Sequence, residues 1–169
     1  MSKWFVPVAV GMTLLGVVTA PRDARAQEWV AAAQGNIASG VDVGGKDMAL
    51  RRARTVARFG GELSVDERPK DVFYGGLLVE IEPRTSFGGS LRYLRMLASK
   101  SAVFVGGDAL LAPRTLFGAA GGFVQRIPMS QKTQLTLDPT FNVFFIGQDM
   151  PDDTVFWQAL LEVGFRADL

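Results

Sequence analysis

The sequence predicts an all-β fold: eight antiparallel strands in up-and-down order, closed into a barrel behind a cleaved signal peptide. Three observations carry that expectation. An apolar leader opens the chain, period-two alternation dominates after residue 55, and Gly-Gly pairs recur at near-regular spacing. The length of 169 residues suits one domain with a real core.

The leader comes first. Lys3 supplies one positive charge, and Trp4 to Ala20 is almost unbroken apolar sequence. PRDARA follows, and Ala24-Arg25-Ala26 is an A-x-A cleavage pattern that leaves Gln27 as the new N-terminus. Val18-Thr19-Ala20 is an earlier alternative site. A retained anchor is the competing reading, but the stretch is short for a spanning helix and contains Pro7 and Gly11. Cleavage after Ala26 divides the chain into a signal peptide, 1–26, and a barrel domain, 27–169, of 143 residues. That domain holds 15 basic and 16 acidic residues and no second long apolar run, so helical membrane architecture is excluded.

The strands follow in order at 28–43, 53–66, 71–82, 86–97, 101–112 and 114–127, then from Lys132, then over 154–169. The last is the clearest. Val155, Trp157, Ala159, Leu161, Val163, Phe165, Ala167 and Leu169 form one apolar face. Gln158, Glu162, Gly164, Arg166 and Asp168 lie on the other, diluted by Phe156 and Leu160. From Lys132, Leu135, Leu137, Phe141, Val143 and Phe145 alternate with Gln134, Thr136, Asp138, Thr140 and Asn142. Such alternation puts one face in an apolar medium and the other in a polar one. Within 53–66, Phe59 and Leu63 oppose Arg58 and Glu62; within 71–82, Phe73, Leu77 and Val79 oppose Tyr74 and Glu80; within 86–97, Leu91 and Tyr93 oppose Ser90 and Arg92. The 114–127 strand shows no clear phase. Residues 43–53 read as a loop with a helical turn. Pro139, inside the second-last strand, calls for a bulge or kink at Asp138-Pro139.

Turn residues separate these runs, as in Glu82-Pro83-Arg84-Thr85 and Pro128-Met129-Ser130-Gln131. Gly-Gly pairs at 44–45, 60–61, 75–76, 88–89, 106–107 and 121–122 are spaced by 16, 15, 13, 18 and 15 residues, about one strand plus one turn. Glycines inside strands suit a sheet that must coil sharply.

Eight strands of about ten residues fill the mature chain, and eight is the smallest common closed barrel. Arg58, Glu62, Glu80, Arg92, Asp108, Glu162 and Arg166 then form a polar lumen of mixed sign. Val155, Trp157, Leu161, Val163 and Phe165 face lipid, and Phe73, Tyr93, Phe145, Trp157 and Phe165 supply interfacial aromatics.

On the leader, the strand count and the last strand, the chain resembles the small eight-stranded outer-membrane β-barrel proteins of Gram-negative bacteria. Their final strand carries a polar residue, then Gly two positions on, then hydrophobic residues at the sixth and eighth positions, as read by the barrel-assembly machinery. Glu162, Gly164, Ala167 and Leu169 fit that spacing, with Ala and Leu where an aromatic is favoured. The resemblance implies a transmembrane barrel in the outer membrane, contacts with outer-membrane lipid, and passage through periplasmic chaperones and the assembly machinery. A monomer is expected.

Composition limits the chemistry. Zero Cys excludes disulfides and thiol nucleophiles, and zero His removes the usual general base and the catalytic His of the barrel hydrolases and acyltransferases. A formal charge of +1 gives no field for nucleic acid, and no acidic cluster has metal-ligand spacing, so no cofactor is expected. Glu80 and Glu82 share a strand face, where salt bridging is preferred over catalysis. Gly44-Gly45-Lys46-Asp47 lacks the remaining phosphate-loop residues and reads as a turn. Arg51-Arg52-Ala53-Arg54 suits either a solvated loop or anionic head groups. Three functions stay open: a plugged structural or adhesion barrel, a narrow pore, and a soluble periplasmic barrel with a lipophilic ligand inside.

Overall fold

The computed structural model describes residues 29–44, 47–52, 55–65, 70–81, 85–113, 115–148, 150 and 154–169. The expected signal peptide with Ala24 and Ala26, Gly45-Lys46 and Glu82 lie outside the described residues.

Among the described residues nine strands run in chain order. They are β1 (Trp29–Gly44), β2 (Ala49–Arg52), β3 (Val56–Val65), β4 (Asp71–Glu80), β5 (Ser86–Ala98), β6 (Ser101–Ala112), β7 (Leu116–Pro128), β8 (Thr133–Gly147) and β9 (Phe156–Asp168). All pairings are antiparallel, and β1 pairs with both β3 and β9, which closes the sheet. β2 and β3 lie along the same edge of β1. The pairing slips by one residue between Val41↔Arg52 and Ala38↔Val56. Together they act as one interrupted strand, so the closed barrel is eight-stranded.

The register fixes the shape. From Ala33, stepping across successive partners through Gly61, Gly75, Leu91, Gly107, Ala119, Val143 and Trp157 returns to β1 at Val43, ten residues further on. With strand and residue spacings of about 4.8 and 3.3 Å, that stagger gives a tilt of about 40° and a backbone radius of about 8 Å. A cylinder that narrow is filled by its own inward side chains.

Tight coiling explains the glycines. Each strand Gly-Gly pair sends one residue inward and one outward. At Gly88, facing inward, a Cβ would sit 1.7 Å from the Ala109 carbonyl oxygen, whereas at Gly89 the nearest atom is 3.7 Å away. The β5–β6 register also shifts between Phe87 and Gly88, where the sheet bends.

Three sequence expectations need correction or completion. Residues 43–53 are not a loop with a helical turn: β1 continues to Gly44 and turns back into β2, with Met48 at φ 47° in the turn. Pro139 makes no bulge. Its pairing with Leu161 on β9 is unbroken, and the β7 ladder lapses between Gly122↔Thr140 and Gln125↔Leu137, then resumes in the same register. The missing N–H falls on the β7 side and removes local pairing without adding a residue. β7, which has no clear phase in sequence, points Phe117 and Ile127 outward and Leu116, Val124 and Arg126 inward.

Candidate functional site in the barrel lumen

The inward face is built from even-numbered residues on every strand except the short β2, where the one-residue slip turns Leu50 outward, because side chains alternate and the other ladders keep parity across their centres. We call the end with the start of β1 and the end of β9 the lower end. The β3–β4, β5–β6 and β7–β8 connections also lie there.

All seven charged residues assigned to the lumen from sequence are buried inside the barrel: Arg58, Glu62, Glu80, Arg92, Asp108, Glu162 and Arg166. They form separate groups. At mid-height the Glu162 carboxylate accepts from Arg58 Nη1 at 2.5 Å, Arg92 Nη2 at 2.7 Å and Thr140 Oγ1 at 2.8 Å. Arg58 Nη2 also donates to Asp108 Oδ2 at 2.5 Å, and Ser90 Oγ donates to the other Asp108 oxygen at 2.7 Å. The Arg92 guanidinium lies 4.4 Å from the Phe104 ring centre. The second group is lower. Glu62 accepts from Arg126 Nη2 at 2.9 and 3.0 Å and from Arg166 Nε at 2.6 Å, and Arg166 also pairs with Asp168. Glu80 is buried near the upper end and makes interactions of its own.

Neutral side chains extend these groups. Asn36 Nδ2 donates to Asp138 Oδ2 at 2.9 Å. Asn142 Nδ2 donates to Gln158 Oε1 at 2.9 Å, and Gln158 Nε2 donates to Asp42 Oδ1 at 3.1 Å. Buried ion pairs gain from further bonds to their remaining lone pairs and protons; the Ser90 and Thr140 hydroxyls supply two, while the Nε–H groups of Arg58, Arg92 and Arg126 have no partner.

Apolar side chains fill the rest. Ala38, Val56, Leu78, Leu110, Leu116, Phe144, Phe156 and Leu160 make one cluster in the upper half. Val72, Tyr74, Leu94, Ala102, Phe104, Ala120 and Val124 make a second on the β4–β7 wall. Two internal voids near Arg58 measure about 10 Å³ each, room for about one water. The lower mouth differs: a cavity of about 910 Å³ opens there, lined by Arg126, Arg166, Lys70 and Gln134 among others.

Sequence reasoning put Ser90, Asp138 and Thr140 on polar strand faces without naming them in the lumen network, and left Arg126 and Asn36 unassigned. For Arg126 a signal existed. Phe117, Phe123 and Ile127 are bulky and odd-numbered, while Gly118, Ala120 and Gly122 are small and even-numbered, which places Arg126 inside. Nothing in sequence pairs Arg126 with Glu62.

The outward face is apolar. Val155, Trp157, Leu161, Val163 and Phe165 all point outward and are exposed, Phe165 at 59%. Among the described side chains, the only charges on the outward strand faces are Asp71 and Arg95, which pair at 2.5 Å beside Tyr93, whose hydroxyl donates to Asp71 at 2.6 Å. Phe73, Tyr93 and Phe165 sit towards the lower end, and Phe145 and Trp157 towards the upper. Phe165 and Trp157 are eight residues apart on one strand, about 20 Å of height at 3.3 Å per residue and 40° tilt.

The C-terminal residues of the assembly pattern divide between the faces. Glu162 is the hub of the mid-height cluster, and Gly164 faces inward, where a Cβ would sit 2.2 Å from Asn36 Oδ1. Ala167 pairs with Ala33 and Thr133, and the Leu169 side chain is exposed while its N–H bonds to the Ala31 carbonyl at 3.1 Å.

Neither a family model nor a curated protein sequence matches the chain. A solved structure from the de novo design of transmembrane beta-barrels superposes with a TM-score of 0.47 at 9% identity, covering 82% of this chain and 95% of that chain. The barrel assignment rests on the closed strand pairing alone.

Proposed function

We propose that the chain is a monomeric outer-membrane β-barrel whose lumen is plugged by its own side chains, with a structural or envelope-interaction role and no catalysis. One observation carries the reading: the barrel is inside-out. Among the described residues, its interior buries two ion-pair clusters and a set of amides, while thirty large hydrophobic side chains stand exposed, mostly on the outside. A water-soluble barrel that binds a lipophilic ligand has the opposite polarity. The two aromatic levels, about 20 Å apart, support a bilayer-spanning band of roughly 25 Å. The internal voids of about 10 Å³ oppose the pore reading. Outer-membrane lipid is the permanent partner; periplasmic chaperones act during biogenesis, and the assembly machinery reads the Glu162–Leu169 strand end.

The test is expression of the full chain in a Gram-negative host, followed by membrane fractionation and gels with and without boiling. An outer-membrane band whose mobility changes on heating is the expected result, with no stepwise conductance in planar bilayers. A band in the periplasmic fraction with one mobility overturns the membrane reading. Stepwise conductance overturns the plug.

A further inference from the structure

We propose that the lower mouth of the barrel is an anion-binding vestibule for phosphate or carboxylate groups presented from that side. The cavity of about 910 Å³ is closed above by the ion pairs and apolar clusters of the lumen, so it is a one-ended pocket in the size range of small-ligand sites. Its charged lining is mostly cationic: Lys70, Arg95, Arg126 and Arg166 stand against Asp168. Arg126 and Arg166 line it and share a single carboxylate, Glu62. Arg126 is more than nine-tenths buried, and its Nε–H, shielded from solvent like those of Arg58 and Arg92, has no hydrogen-bond partner. Lys70 lines the cavity and makes no ion pair among the described residues.

The turns reinforce the same sign. The backbone carbonyls of Lys70, Lys100 and Lys132 accept from the amides of Met96, Arg126 and Asp168, three residues of the cavity wall. Each lower connection therefore fixes an exposed lysine at the rim. The described carboxylates of this end are already engaged: Glu62 by two arginines, Asp168 by Arg166, and Asp71 by Arg95. An oxyanion entering the mouth meets the Lys70 ammonium, which has no ion pair among the described residues, beside two guanidiniums that share Glu62, one of them also held by Asp168, and can take up charge-assisted hydrogen bonds there. The group could reach the mouth on a free solute or on an anionic lipid of the adjoining leaflet. The chemistry is the same.

The experiment uses the folded chain in neutral phosphatidylcholine bilayers with ¹⁵N-labelled arginine. Heat-dependent gel mobility establishes insertion first, so failure of the membrane reading shows separately. Inorganic phosphate is then titrated at constant ionic strength against chloride, and the Nε–H resonances are followed. A saturable shift of Arg126 and Arg166, with Arg58 and Arg92 unmoved, is expected. Lys70→Gln, an exposed residue outside the buried clusters, weakens the apparent affinity about fivefold. In a second arm, phosphatidylglycerol replaces part of the lipid with no phosphate present. A shift in that arm alone identifies the lipid head group as the source and also supports the site. No saturable shift in either arm, an equal response to chloride, or an unchanged affinity in Lys70→Gln overturns the proposal.

Discussion

Glu162→Gln is the sharpest perturbation of the lumen. The carboxylate is fully buried and accepts from Arg58, Arg92 and Thr140. The amide keeps one acceptor but removes the charge and turns an N–H group towards a guanidinium. The two arginines fare differently. Arg58 retains Asp108 at 2.5 Å, whereas Arg92 keeps no direct ion pair among the described residues, only the faces of Phe104 and Tyr74, at 4.4 and 5.9 Å, and the more distant charges of Asp108 and Asp138. The loss is therefore that of one buried cation without its partner, about 3–5 kcal/mol. Adding Arg92→Met removes the stranded charge, so the double variant should recover about half of that, a clear departure from additivity. Position 162 stays polar in Glu162→Gln, which separates the stability effect from any role in assembly. The assay is urea unfolding in phosphatidylcholine vesicles, approached from both the folded and the unfolded side and read by the fluorescence of Trp29 and Trp157. A cost below about 1 kcal/mol, or strict additivity with Arg92→Met, would refute the dry, closed network, because a hydrated lumen would screen the orphaned charge.

Three further expectations are independent of that one. Leu161→Arg places a charge on the outward face at mid-strand and should cost about 2–4 kcal/mol in a bilayer; a cost under about 1 kcal/mol would remove that face from the hydrocarbon. Gly88→Ala should lower folded yield and stability by about 1–3 kcal/mol, since its Cβ meets the Ala109 carbonyl, while Gly89→Ala next to it should be close to neutral; refolding yields on gels compare the two. Leu116→Ser with Phe144→Ser thins the upper apolar cluster, and single-channel recording should then show openings absent from the parent; silence in both would mean that the polar clusters alone hold the lumen shut.

The barrel was readable because parity is a local property. In β9, Trp157, Leu161, Val163 and Phe165 share one parity, and Gln158, Glu162 and Arg166 share the other. No knowledge of neighbouring strands is needed to see it. Where bulk and polarity mix, parity blurs. β7 carries glycine and alanine at five of its central positions, and its one arginine comes at the lower end. Pro139 misled for a different reason. A proline removes a donor from only one side of a strand, and sequence does not say which side a neighbour needs. The β9 ladder passes through Pro139 intact, and only the β7 side lapses.

Pairing within the lumen lies beyond sequence altogether, because it depends on stagger. Glu162 meets Arg58 across 104 positions of sequence and Arg92 across 70. What joins them is a ten-residue offset accumulated over eight strands, each contributing its own turn length and, at Phe87/Gly88 and Phe117/Gly118, its own irregularity. A one-residue error in any hairpin would flip a strand and carry its charges to the outside. The inward charges are thus part of what fixes the register: Arg92 shifted by one position would leave Glu162 and face the apolar exterior. That coupling gives the ion pairs a role beyond stability, because only one closure of the sheet satisfies all of them at once. Arg126 and Arg166 extend the same logic to the lower mouth, where they converge on Glu62 from strands separated by β8 on one side and by β1 on the other.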